Sequence, residues 1–209
     1  MPGQPCQRIP LSRYIVFLAL ALGGGAWDLY SKWAVFKALG YPGSASWLWP
    51  DNWGWSGLAA IVRFRLDTNF NEGALWGMGQ GFAPLFAGLS IVAALGIVYW
   101  LFIHKGAICR WMTVALGFVM AGILGNLYDR LGLHGWRNAQ HQPVYAVRDF
   151  LHFWFFEGTP LQFHWATFNF ADVFLVTGAI MLVVHALFLQ PASTGEAASV
   201  PASAGQSRG

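Results

Sequence analysis

The sequence predicts an all-α integral membrane protein of four transmembrane helices, with both termini cytoplasmic and a small β element in the outer loops. Charged residues make up 10% of the 209-residue chain and hydrophobic ones 56%. A soluble domain carries about 25% charged residues, so there is too little charge to cover a water-facing surface. Four segments approach or exceed the roughly 20 apolar residues needed to cross the hydrocarbon. Lys and Arg are also denser in one set of connections than in the other, which orients the spans.

Residues 1–13, with Arg8 and Arg13, read as a cytoplasmic arm. Span one, 14–36, carries Asp28 and Lys32 in its second half. Its basic start and the run Ala19-Leu20-Ala21 also fit a cleavable signal peptide. The apolarity that resumes at Trp33-Ala34-Val35-Phe36 suits a retained anchor better. The outer loop 37–81 contains 61–67 (IVRFRLD), where Val62, Phe64 and Leu66 alternate with Arg63 and Arg65 as in a half-buried strand. Span two, 82–103, holds no charge. Span three, 111–128, stops at Asp129, and Gly117, Ala121 and Gly125 form a small-residue seam for close helix packing. The outer loop 129–167 includes the extended-looking stretch 144–151 (VYAVRDFL). Span four, 168–189, opens around Asp172, and 190–209 reads as a disordered tail. The whole of 14–189 is thus one membrane domain. The inner segments (1–13, 104–110, 190–209) hold five Lys/Arg in 40 residues, and the outer ones (38–80, 129–167) hold five in 82.

Composition excludes several function classes. The net charge of +3 is thinly spread, with no basic cluster for nucleic acid. Cys6 and Cys109 are too few for a CxxC metal site and, on the inner side, are expected to stay reduced.

With this topology, eight of the nine acidic residues fall near one membrane face; Glu196 is the exception. Unpaired intramembrane carboxylates are costly and mark function. Asp28 and Lys32, four apart with the acid first, suit an ion pair, which either supports a site or anchors the helix. Asn126 and Arg130 share a helix face. Arg130 has three readings: partner of Asp129, holder of a backbone carbonyl, or holder of active-site carboxylates. Asp149 alone reads as a solvated loop acid. Asp172, one turn inside span four and sharing a face with Asn169, needs a polar partner, and Asp149 is a candidate. Asn71 either contacts substrate or makes a turn with Gly73.

Read together, Asp28–Lys32, Asn71–Ala74, Gly125–Arg130, Val147–Phe150 and Phe168–Asp172 resemble, in order, the D-x-x-[ST]-K, N-x-G-A, G-N-x-x-D-R, V-x-D-F and F-N-x-A-D motifs of the lipoprotein signal peptidases (signal peptidase II). The resemblance covers about 14–189. Residues 40–68 look inserted, and Leu75-Trp76 departs from the family pattern. It implies an aspartic endopeptidase of the bacterial inner membrane that removes signal peptides from lipid-modified prolipoproteins, cutting before the diacylglyceryl-cysteine on the periplasmic side. Asp149 and Asp172 would be the catalytic pair. Asn71, Gly73, Asn126, Arg130 and Asn169 would position substrate or the pair, and Asp28 and Lys32 would support the site. For Asp129 the reading is structural, as the neighbour of Arg130. No metal or organic cofactor is implied, and the partners are the prolipoprotein and membrane lipids, with a monomer as the working unit.

Other classes fit less well. His134, His141, His152 and His164 lie in the second outer loop, but there is no HExxH. No G-x-S-x-G supports a serine nucleophile. A proton-coupled transporter or assembly factor using buried acids is the remaining alternative, against which the absence of an internal repeat counts.

Overall fold

The structure, a computed structural model, describes residues 8–44, 46–49, 61–73 and 81–189. The expected tail at 190–209, Cys6, and the stretch with Ala74 and Leu75-Trp76 lie outside the described residues. Four helices are long and apolar enough to cross a membrane: α1 (Leu11–Leu39), α2 (Ala83–Val98), α3 (Arg110–Arg130) and α4 (Phe170–Val184). Counted together with the π-helical turns that extend α2 and α4, they begin and end within three residues of the expected segments. α2 and α4 continue through π-helical turns, Tyr99–Ile103 and His185–Leu189. At 29 residues, α1 is about 44 Å long, more than the roughly 30 Å of hydrocarbon. It stops at Gly40, whose φ of 81° closes the helix by returning its N–H to the Phe36 carbonyl.

α3 is the central helix, in contact with α1, α2 and α4. Half of its span is buried within the protein, against 11% for α2 and for α4. Small residues let its neighbours approach. The expected seam faces α1: a Cβ on Gly117 would stand 3.1 Å from Leu20, and Ala121 fills the space beside Gly24. A second seam, not read from the sequence, faces α4. There a Cβ on Gly122 would strike the Ala171 carbonyl, and one on Gly178 would stand 2.7 Å from the Ala115 carbonyl.

The β element is larger than expected. β1 (Ser46–Trp49), β2 (Val62–Asn71), β3 (Val147–Phe155) and β4 (Phe163–His164) form one antiparallel sheet in that order. The extended stretch expected at 144–151 begins at Val147 and runs on through the aromatic-rich residues to Phe155. Register sets Val62, Phe64 and Leu66 against Phe155, Phe153 and Leu151, and Arg63 and Arg65 against Trp154 and His152. The arginine face is nonetheless partly covered. Glu157 pairs with Arg63 and Arg65 at 3.0 Å each, and Arg65 lies 4.8 Å over the Trp154 ring. Between Leu66 and Asn69 the register slips by one residue in β2, a bulge. Phe36 of α1 packs on Phe70 and Trp136, with ring centroids at 5.4 and 5.9 Å, tying the sheet to the end of the bundle where α3 finishes and α4 begins.

Candidate active site

The start of α4 fixes the first acid. Asn169 is its N-cap: the side chain accepts from the Asp172 N–H at 3.1 Å, and Asp172 Oδ2 accepts from the Asn169 N–H at 3.2 Å, a reciprocal capping box. The N-x-x-D spacing in Phe168–Asp172 therefore has a local cause. Free N–H groups at a helix start need acceptors, and Asp28 of α1 supplies another, taking the Ala171 N–H at 2.8 Å. Gly125 leaves room for that carboxylate, since a Cβ there would collide with it.

The sheet brings the second acid. Asp149 of β3 opposes Asn69, and Val147 opposes Asn71. Without the extra residue of the bulge, positions 68 and 70 would stand there instead, and every side chain from there to Asn71 would face the other way. With it, Asn71 shares the face of Asp149 and donates from Nδ2 to Asp149 Oδ2 at 3.0 Å, while its Oδ1 accepts from the Gly73 N–H at 3.1 Å. The turn expected of Asn71 with Gly73 forms, and the same side chain also reaches Asp149.

Amides bridge the two acids. Asn169 Nδ2 donates to Asp149 Oδ1 at 2.6 Å while its main chain holds Asp172. Asn126 Nδ2 donates to Asp172 Oδ1 at 2.9 Å, and Asn126 Oδ1 accepts from Asn169 Nδ2 at 3.2 Å. Asp149 is 1% exposed. Burial first, then the negative charge of Asp172, pushes its carboxyl up to about 8, against the lowering effect of the Asn71 and Asn169 donors.

Beneath lies a chain of ion pairs. Lys32 Nζ meets Asp28 at 2.7 Å and Asp129 at 3.1 Å, and donates to Asn126 Oδ1 at 3.0 Å. Of the three readings of Arg130, the pairing with Asp129 is not the one that forms. Successive helix residues point about 100° apart, so Asp129 turns to Lys32 and to Arg148, which donates from Nε and Nη2 at 3.0 and 2.8 Å. Arg130 instead holds a backbone carbonyl, that of Gly73, at 3.1 Å, and lies 5.1 Å over Phe86.

A cavity of about 460 Å³ opens on the pair. Asn71, Gly73, Asn126, Arg130, Asp149 and Asp172 line it, with Trp165, Phe168, Val173 and Val176 as its apolar wall. Asn169 stands behind the pair, and Asp28, Lys32 and Asp129 line no part of it. Arg148 was missed because its partner lies 19 residues away in another element. The only signal was a cation beside an acid in a strand otherwise apolar. The four histidines do not gather in one cluster: His152 Nδ1 lies 2.7 Å from Asp67 with the His164 ring 5.8 Å away, and His134 Nδ1 accepts from the Trp136 N–H. Among the described residues no group of three or more His, Cys, Asp or Glu is placed to hold a metal ion.

The chain is similar to known proteins. The family model for signal peptidase (SPase) II matches residues 19–188. A lipoprotein signal peptidase of Rhodopirellula baltica is 42% identical over 190 residues, covering 90% of this chain and 78% of that protein. One from Aeromonas hydrophila is 30% identical, covering 80% and 86%. A bacterial membrane enzyme solved by the in meso method at 2.3 Å resolution has the same fold, with a TM-score of 0.60 at 20% identity over 88% of this chain and 93% of that one. A match running from the middle of α1 almost to the end of the last helix leaves one assignment: the chain belongs to the signal peptidase II family.

Proposed function

We propose that this chain is an aspartic endopeptidase that removes the signal peptide from lipid-modified prolipoproteins, cutting before the diacylglyceryl-cysteine. The observation that carries the reading is the pair itself. Asp149 and Asp172 come from a strand and a helix, share Asn169, and both face one cavity with an apolar wall. Family membership supports the substrate and disfavours a transporter or assembly factor.

Two carboxyls held side by side, Asp149 buried and Asp172 half-buried, share donors, hold one proton between them and titrate as a pair. With that proton on Asp149, Asp172 takes a proton from water as the oxygen attacks the scissile carbonyl. Asp149 gives its proton to the carbonyl oxygen, so no free oxyanion accumulates. On collapse the leaving amine of the cysteine takes the proton from Asp172, and Asp149 recovers one from the tetrahedral hydroxyl. The pair returns to its starting state, with no metal or organic cofactor in the cycle. Asn71, Asn126 and Asn169 hold the acids, Arg130 fixes the Gly73 end of the site, and the Asp28–Lys32–Asp129 charges support it from below.

The basic connection Lys105–Arg110 lies at the other end of α3, which supports cytoplasmic termini and a site on the periplasmic side of the inner membrane. The signal helix would then enter from lipid along Val173 and Val176. Incubating the purified protein with a lipidated prolipoprotein and weighing the products tests this. Loss of the peptide up to the modified cysteine is expected, and an intact substrate or a cut elsewhere overturns it.

A further inference from the structure

We infer that Arg148 is a positioning residue for this reaction: locked to Asp129 behind the strand, it sets where Asp149 stands in the cavity wall. The inference rests on the reading of Asp149 as a reacting acid.

Successive strand residues face opposite ways, so Arg148 points to the back of β3 while Asp149 points to the cavity. Arg148 is 4% exposed and lines no part of that cavity. One carboxylate grips it twice. Asp129 Oδ1 accepts from Nε and Nη2 at 3.0 and 2.8 Å, and Asp129 Oδ2 accepts from the main-chain N–H of the same residue at 3.0 Å. That N–H belongs to the residue immediately before Asp149. On the other side of Asp149, the Phe150 N–H donates to the Phe168 carbonyl at 3.0 Å, one residue before Asn169. The Asp149 backbone is therefore pinned before and after: by α3 through Arg148 and by the entry to α4 through Phe150.

The grip also ties the two acids together. From Asp129 the contacts run to Lys32, from Lys32 to Asn126, and from Asn126 to Asp172, at 3.1, 3.0 and 2.9 Å. Without the guanidinium, Asp129 Oδ1 loses both its donors, and the carboxylate is free to turn to Lys32 and release the strand. A displacement of about 1 Å between reacting groups costs on the order of a hundredfold in rate. Because Arg148 does not touch the cavity, the loss falls on turnover and not on substrate binding.

Arg148→Met and Arg148→Lys, assayed beside Asp149→Asn on a lipidated prolipoprotein with folded protein quantified by thermal unfolding, test this. Expected is a kcat about tenfold to a hundredfold lower for Arg148→Met, with KM within about twofold of the parent. Arg148→Lys falls between, because one ammonium replaces part of a two-donor face. Wild-type kcat per folded molecule in either variant, or a loss confined to KM, overturns the inference. So does failure of both variants to fold, since the pair is then a folding element. If Asp149→Asn keeps its activity, the reading of the dyad fails instead; an inactive Asp149→Asn beside fully active Arg148 variants removes only the role of Arg148.

Discussion

Four acids, Asp28, Asp129 and Asp149 buried and Asp172 half-buried, meet where the sheet covers the bundle, and they fall into two layers. In the lower layer Asp28 and Asp129 each hold a cation, Lys32 at 2.7 and 3.1 Å, with Arg148 completing the set. In the upper layer Asp149 and Asp172 are held by amide donors from Asn71, Asn126 and Asn169, and only these two acids face the cavity. A carboxylate paired with a cation has its charge matched, which suits it to hold helices together. A carboxylate held by neutral amides beside a second acid keeps its proton in play. In the proposed mechanism, acids of one kind, a few ångströms apart, are thus sorted into structure and chemistry by what donates to them.

The largest stability change expected is from Lys32→Met, which leaves Asp28 and Asp129 without their shared cation. Breaking a buried pair from one side costs about 3–5 kcal/mol, so the thermal midpoint in detergent should fall sharply; an unchanged midpoint would mean the lower layer is not structural. Next is Gly122→Leu. It forces α3 away from the Ala171 carbonyl and Leu175, at about 1–3 kcal/mol for overpacking, and slows cleavage by displacing Asp172. Cleavage at the normal rate would separate helix packing from the site.

The pH dependence distinguishes the layers further. Asp149 holds its proton up to about 8 in the folded chain, against an ordinary value of 3.8. A raised carboxyl favours the folded state fully below its ordinary value, and that contribution is lost as pH rises through about 8. Asp149→Asn should therefore gain on the parent in thermal midpoint toward pH 9, while the parent's cleavage rate falls over the same range as the acid proton is lost. Parallel midpoints from pH 5 to 9 would contradict this. The smallest effect is at Arg63, whose side chain is 43% exposed and whose partner Glu157 keeps Arg65. Arg63→Ala should change stability by no more than about 1 kcal/mol and leave kcat alone.

How much of this was legible follows the range of the interactions. The spans are local runs of apolar residues, and the sequence marks them to within three residues. The Asp172 end is local too, because Asn169 and Asp172 form a capping box within one turn. Asp149 is different: its place depends on a bulge in a strand about 80 residues earlier, and nothing in Val147–Phe150 itself brings it to Asn71. The partner of Asp129 stayed open among the readings for the same reason. Arg130 is adjacent in sequence but turned away on the helix, while Arg148 arrives only when β3 packs against α3. Sheet size was underestimated because β1 carries no alternation long enough to read, and β4 is two residues.

Single-turnover cleavage by Asp149→Asn, Asp172→Asn and the double variant, at saturating lipidated substrate, asks whether the upper layer works as one proton-sharing unit. Each single change should lower the rate about 10²–10⁴-fold and bring it to the same residual level as the double. Near-normal cleavage by either single variant, or losses that multiply in the double, would contradict a shared proton.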